Sequence, residues 1–327
     1  MSGMTDQPTI SVVIPVKNEA AGIAACLDGI LSQTVPVQEI LVIDSGSTDG
    51  TQEIVRGYDL ARLLEIEPTE FNHGDTRNLG VQETSGELIL FTVGDARPVD
   101  DRWIERLQSG FLSDDVAAVG GIQIVAHDPR NNPLEWYRPV SEPVRSVHRF
   151  GSAAEFDAAD SATKQSACVI DDVTSMYRRA FLEAIPFRRA VYGEDMLICV
   201  DALRAGHALV RDPAACVFHY HLQNYRTTLQ RTVAVSLMRH DLFGTTSGTP
   251  VSQPVREAVR LMREPSLTLR QKVQWWRNQR QCFRGMMDGI ALFEKARSEG
   301  ASALAALHEE YLGSPPIPVK RGQVNTA

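Results

Sequence analysis

The chain has 327 residues, 43% of them hydrophobic and 23% charged, with a formal net charge of −8 at pH 7. That length can bury a substantial core in one large domain with an appendage, or in two domains. The acidity argues against nucleic acid as a partner, and no run approaches the ~20 apolar residues needed to cross a bilayer.

The N-terminal stretch MSGMTDQPT lacks the basic and apolar regions of a signal peptide, and the five cysteines (Cys26, Cys168, Cys199, Cys216, Cys282) include no Cys-x-x-Cys pair. Both features point to a reduced, cytoplasmic setting in which cysteines fill core space. In chain order, ISVVIPV (Ile10 to Val16) predicts a first strand, and Ile23, Leu27, Ile30 and Leu31 give Ala20 to Gln33 a helical spacing. EILVI (Glu39 to Ile43) predicts a second strand ending at Asp44, and DSGSTDGT (Asp44 to Thr51) a turn that caps another helix. Leu63 to Ile66 reads as a short strand, Glu70 to Thr84 as a polar motif running into a helix, and Leu88 onward as a strand leading to Asp95. Asp100 to Leu112 reads as a helix and Val116 to Val125 as a strand. From His127 to Gln165 the pattern dissolves, which predicts long loops. Val173 to Arg179 is a strand, Tyr192 to His207 a helix opened by Glu194 and Asp195, and Ala215 to Phe218 a last strand ending at His219-Tyr220-His221. Beyond Asn224 the chain reads as helical to about Tyr311, and 314–327 as a loose tail. Strand and helix alternating in this way predict an α/β fold, a doubly wound, mostly parallel sheet flanked by helices with a C-terminal helical extension. The expected domains are 1–225 and 226–327.

Asp44, Asp95, Asp195 and His219 each close a strand or open the following helix, so a doubly wound sheet brings them to one edge, where ligands bind. Taken singly, each has a plainer explanation: a turn residue at Asp95, a helix-capping acid at Glu194 or Asp195, a structural histidine at His219 or His221. Together, hard oxygen ligands with one imidazole suit Mg²⁺ or Mn²⁺. No GxxxxGK[ST] or GxGxxG stands after the first strand, which argues against a phosphate-loop nucleotide enzyme.

SVVIPVKNEA, ILVIDSGSTDGT, HGDTRNLG, GELILFTVGDARP, VTSMYRR and YGEDMLICVDALRAGH resemble, in order and spacing, the inverting nucleotide-sugar glycosyltransferases of family 2, with the GT-A fold, and most of all their bacterial rhamnosyltransferase branch. The resemblance covers roughly residues 10 to 225. It implies a nucleotide-sugar donor and a glycan or polyprenyl-linked acceptor in surface polysaccharide synthesis. It also implies that Pro15, Val16 and Glu19 line the nucleotide pocket, Asp44 and Ser45 contact the base or ribose, and Arg77 lies close to the diphosphate. Asp95 would hold a divalent metal, Mg²⁺ or Mn²⁺, with His219 or His221 completing the shell. Asp195 would be the catalytic base, and Glu194 would bind an acceptor hydroxyl or orient Asp195. Val93 stands where the family has the first aspartate of its metal motif, which keeps a catalytically impaired binding module as the alternative.

Two features outside those motifs bear on the acceptor. Trp136, Tyr137 and Arg138 offer aromatic faces to a sugar or, equally, pack under a loop. Between Val255 and Arg284, eight Lys and Arg residues face two glutamates, interleaved with Trp275, Trp276, Phe283, Met286 and Met287. This segment, 255–287, fits peripheral contact with the anionic inner face of the cell membrane, or a solvated basic face with its tryptophans packed inward.

Overall fold

The computed structural model describes residues 7–139, 143–245 and 254–313; the expected tail, 314–327, lies outside the described residues. In chain order the first elements are β1 (Ile10–Val16), α1 (Ile23–Leu31), β2 (Glu39–Asp44), α2 (Thr51–Val55), β3 (Ala61–Glu65), α3 (His73–Gln82), β4 (Leu88–Phe91), β5 (Arg97–Pro98), α4 (Trp103–Gln108) and β6 (Val116–Ile124). They are followed by β7 (Ser146–His148), α5 (Ala153–Ala158), α6 (Ser161–Ala167), β8 (Ser175–Arg178), α7 (Arg179–Ala184), α8 (Glu194–Arg204) and β9 (Ala208–Phe218). Four helices close the described chain: α9 (Tyr225–Phe243), α10 (Pro254–Met262), α11 (Leu269–Glu299) and α12 (Ala301–Leu312).

β1 is almost wholly buried, as a strand rich in β-branched residues in the middle of a sheet should be. It pairs in parallel with β2, Val12 opposite Ile40, and with β4, Val12 opposite Leu90. The Val13 carbonyl accepts from Thr92 N–H at 3.3 Å. Residues two apart on a parallel strand address the same neighbour, so Pro15 faces β4 as well and has no N–H to give. The β1–β4 ladder accordingly stops at Val13 and Phe91, whereas the β1–β2 ladder runs on to Val16 and Asp44. The strand ends part at that point, and the loops carrying Asn18 and Asp95 begin there, as the switch-point rule requires of a binding crevice.

The sheet has nine strands in the order β3-β2-β1-β4-β8-β6-β9-β5, with β7 on β9. Its β3-β2-β1-β4 half, built from strand–helix–strand units, is parallel, and the β4–β8, β6–β8, β5–β9 and β7–β9 pairs are antiparallel. Helix α1 buries Ile23, Cys26, Leu27 and Ile30; Leu31, expected on that face, is exposed, because the helical period places Cys26 there instead. The stretch 127–165 is not all loop. It carries β7, α5 and α6, whose helices are short, polar and capped by Ser152 and Asp160, and so leave little apolar periodicity to detect. All five cysteines are free thiols.

The described residues group into two compact units, one of 7–123, 143–190 and 194–219, the other of 124–139, 191–193, 220–245 and 254–313. The first holds the sheet. The second has one apolar cluster of Val233, Leu237, Phe293, Ala296 and Leu307 and another of Trp136, Leu261, Leu267 and Trp275.

Within the first unit, Trp103 Nε1 donates to Thr174 Oγ1 at 2.9 Å. A Cβ on Gly121 would lie 2.5 Å from that oxygen and 2.1 Å from the Ala215 carbonyl oxygen. The backbone carbonyl cannot rotate away as a side chain would. Gly121→Ala is expected to destabilise the protein by about 1–3 kcal/mol through overpacking, seen as a lower Tm; an unchanged Tm would contradict this close approach.

Candidate active site

The HGDTRNLG motif forms α3, and nearly every residue of it has a partner in a segment far along the chain. Asn72 caps the helix, its Oδ1 accepting from Gly74 and Asp75 N–H, and the same oxygen accepts from Ala190 N–H at 3.0 Å. A Cβ on Gly74 would lie 1.9 Å from the Arg188 carbonyl oxygen, so glycine is required there by close approach. Asn78 brackets Phe187, donating to its carbonyl and accepting from its N–H, both at 2.9 Å. Asp75 pairs with Arg189. The motif therefore clamps residues 187–190, the approach to α8.

Arg77 is the centre of this clamp. It is buried, with Nε 2.9 Å from Asp172 Oδ2 and Nη1 2.8 Å from Glu194 Oε1, and Nη1 also donates to the His73 carbonyl. Asp172 accepts in addition from Ser175 and Tyr177 hydroxyls at 2.9 and 2.7 Å. Burial drives the Asp172 carboxyl up to about 6, with Arg77 pulling the other way and Glu194 adding to the rise. Arg77 was expected beside the donor's diphosphate. Instead its guanidinium faces two carboxylates within the first unit, which alone can hold it in a buried position. Glu194, expected to bind an acceptor hydroxyl or orient Asp195, is paired with Arg77. Asp195 follows it in the first turn of α8, its Oδ1 accepting from Met196 N–H at 2.7 Å. Burial, then the charges of Glu194, Asp172 and Asp171, push the Asp195 carboxyl well above the ordinary carboxylate range.

A second cluster surrounds Asp95. His219 Nε2 lies 3.4 Å from Asp95 Oδ1, and its Nδ1 lies 2.6 Å from Gln123 Oε1. Gln123 in turn donates its amide to Asp171. Since the amide nitrogen is committed to Asp171, the amide oxygen faces His219 and accepts from Nδ1, which turns Nε2 toward Asp95. Glu19 contributes a further carboxyl, pushed up to about 6 by burial first and the Asp95 charge second. Val93 packs against the main core. His221 is exposed and falls two residues on, in the second unit.

At the end of β2, Asp44 is buried. Its Oδ1 accepts from Gly46 N–H, Ser47 N–H and Gln52 Nε2, each at 2.9 Å, while Oδ2 has no hydrogen-bond partner. Burial raises the Asp44 carboxyl, but hydrogen bonds from Ser47, Gln52 and Gly46 outweigh it and hold the group ionised. An unpaired buried carboxylate oxygen is costly, and it marks where a ligand's N–H or hydroxyl would be accepted. Ser45, expected on the base or ribose, is buried and donates its hydroxyl to the Val16 carbonyl at 3.2 Å. Pro15 and Val16 end β1 as expected, half-buried and buried. Trp136, one of the two readings for which was a sugar-facing wall, is buried in the second unit's core with its Nε1 donating to the Asp128 carbonyl.

Sequence reasoning missed Gln123, Asp171 and Asp172. Gln123 is the polar residue within VAAVGGIQIV, and the two acids stand immediately before VTSMYRR; each was a visible polar break beside an apolar strand.

The family model described as Glycosyl transferase family 2 matches residues 11–185, more than half the chain, with Asp44, Arg77 and Asp95 inside it. Glycosyltransferase AglE of Haloferax volcanii is 42% identical over 120 residues, 35% of this chain and 39% of that protein; the chain thus matches well under half of that relative's length. The O-antigen chain rhamnosyltransferase RfbN of Salmonella typhimurium is 29% identical over 226 residues, 68% of this chain and 69% of that one. Among solved structures, the mannosyltransferase PcManGT from Pyrobaculum calidifontis, in complex with GDP-Man and Mn2+, superposes with a TM-score of 0.54 at 18% identity, covering 94% of this chain and 80% of that one. S. aureus TarS 1-349 in complex with UDP-GlcNAc gives 0.55 at 16%, covering 93% and 81%. These likenesses establish a shared α/β fold of the GT-A type.

Removing Arg77 would leave Asp172 and Glu194 buried without a counter-charge. Arg77→Met is expected to destabilise by about 3–5 kcal/mol at pH 8. The cost should shrink as pH falls below the raised Asp172 value, because protonation removes the uncompensated charge. Calorimetric Tm differences between wild type and variant at pH 8 and pH 5 check this, and a difference that is small, or equal at both pH values, would contradict it.

Proposed function

The chain belongs to glycosyl transferase family 2, and on that premise we propose that it transfers a sugar from a nucleoside-diphosphate sugar to a hydroxyl of a glycan or lipid-linked acceptor, with inversion at the anomeric carbon and Asp195 as general base. The observation that carries this reading is Asp195 itself, a carboxyl in the first turn of α8 whose pKa is raised by burial and by Glu194. A pure binding module has no use for such a group. Proton transfer to a positioned base contributes about 10² to 10⁴-fold.

In the reaction the acceptor oxygen attacks the anomeric carbon from the face opposite the diphosphate. Asp195 takes the hydroxyl proton as the new C–O bond forms, and the bond to the diphosphate breaks with its electron pair leaving on the nucleotide. Asp44 Oδ2 is an acceptor suited to a nucleoside N–H or hydroxyl, and Pro15, Val16 and Glu19 border the same strand end. The donor set of Asp95 and His219, with Nε2 directed by Gln123, fits a divalent cation such as Mg²⁺ or Mn²⁺. When bound there, the cation would offset negative charge on the diphosphate. That assignment gains weight from Arg77, whose own charge already faces two carboxylates.

The rhamnosyltransferase relatives support a hexose or deoxyhexose as the transferred group and surface polysaccharide as its destination. An acceptor of that kind is carried on a lipid at the inner membrane face, where a peripheral protein would meet it. We keep 1–225 as the catalytic domain and 226–327 as its helical extension in this reading.

Transfer is tested by following donor consumption with a panel of UDP-, GDP- and dTDP-sugars, with and without Mn²⁺. Asp195→Asn should lower kcat by at least about 10²-fold while Tm and donor affinity stay near wild type, and Asp95→Ala should abolish the Mn²⁺ response. Full turnover by Asp195→Asn would overturn the base assignment; full Mn²⁺-dependent activity in Asp95→Ala would overturn the metal assignment.

A further inference from the structure

Helices α10 and α11 begin with the same pattern. In α10, Val255, Val259 and Met262 are spaced i, i+4, i+7, and each is followed by an arginine: Arg256, Arg260 and Arg263. In α11, Leu269, Val273 and Trp276 repeat the spacing, with Arg270 and Arg277 after the first and third. At 100° per residue such a triplet forms one narrow apolar stripe, with the arginines about a quarter-turn round on a single flank.

A stripe of this kind normally faces a core. Here the core-facing side is the opposite one: Leu261, Leu267 and Trp275 pack with Trp136 and are 2 to 6% exposed, and Trp275 Nε1 donates to the Pro129 carbonyl at 3.3 Å. The six stripe residues are between 39 and 75% exposed. The two open readings of the basic segment therefore divide between adjacent residues, Trp275 packed inward and Trp276 outward.

We propose that the outer face of α10 and the first turns of α11 docks on the anionic surface of a lipid bilayer, its apolar stripes entering the acyl boundary and its arginines meeting the headgroups. No helix among the described residues is long and apolar enough to cross a membrane, so this is contact from one side. Five arginines and Lys272 against Glu257 and Glu264 make the stretch positive within a chain of net charge −8, which attracts this face, rather than the remainder, to anionic headgroups. Arginine stems extend along apolar surface while their heads reach outward, and tryptophan favours the membrane–water boundary. A two-fold contact with a second copy would set each arginine row against another and is disfavoured by like-charge repulsion. The proposal rests on the preceding reading only in taking the acceptor to be lipid-linked.

The test is co-sedimentation of the full chain, without donor or acceptor, with vesicles of phosphatidylcholine alone and with phosphatidylglycerol added. Binding should require phosphatidylglycerol and weaken with salt. The triple variant Val259→Ser/Leu269→Ser/Trp276→Ser should lower the partition coefficient at least about tenfold, and Arg260→Gln/Arg263→Gln/Arg270→Gln about fivefold per arginine removed, each with unchanged Tm. Binding that is absent, indifferent to phosphatidylglycerol, or unaffected by the apolar variant overturns the proposal. So does a wild type that sediments as a dimer which that variant dissociates. Donor consumption with a soluble acceptor is read in parallel and should be unaltered, so failure of docking and failure of the transfer reading remain separable.

Discussion

Arg77 sits between Asp172 and Glu194 with almost no solvent, and the arrangement around Asp195 depends on it. A buried guanidinium is tolerated only when carboxylates neutralise it, so the three groups fix one another: Asp172 at the entry to β8, Glu194 at the first residue of α8, Arg77 on α3. Two carboxylates around one cation leave a net negative charge. Asp195, next in the helix, stands in that field, which adds to burial in raising its pKa.

This gives α3 a structural role in holding the start of α8. Asn72, Gly74, Asp75, Arg77 and Asn78 all hold residues 187–194, by capping, close approach, ion pairing and a bracket of two amide hydrogen bonds. Under the proposed function, the motif would position the base, and the charge of the donor's diphosphate would fall to the Asp95–His219 side. The two clusters are joined by a short relay in which Asp171 fixes the Gln123 amide and Gln123 fixes the His219 ring. Asp171 also adds to the field on Asp195, so the metal-side histidine and the proposed base share a neighbour.

The sequence showed the ends of strands well. Asp44, Asp95 and His219 were legible because each follows an apolar run, and the α/β alternation through β4 follows from short apolar strands separated by helical spacing. Partners were not legible. Asn78 and Phe187 are 109 residues apart, and no local period reports that they meet, so the carboxylate partners of Arg77 were not legible. The inward hydrogen bond of Ser45 was hidden for a related reason, since a serine at a strand end can donate back to the strand as readily as outward to a ligand. Trp136 lies in a stretch without periodicity, where burial has no signature. In α10 and α11 the periodicity was present, but it takes the inward packing of Trp275 to say which of two amphipathic faces is outside.

The most direct test of the account is the pH dependence of kcat/KM for transfer, which reports groups of the free enzyme and therefore the environment described here. The base must be deprotonated to act, so kcat/KM should be level at high pH and fall tenfold per unit below the Asp195 pKa. Burial and the Glu194, Asp172 and Asp171 charges place that acid limb well above the ~3.9 of an unperturbed aspartate, and Asp195→Asn should remove it from the residual rate. A profile level down to about pH 4, or an elevated limb that survives in Asp195→Asn, would contradict the account.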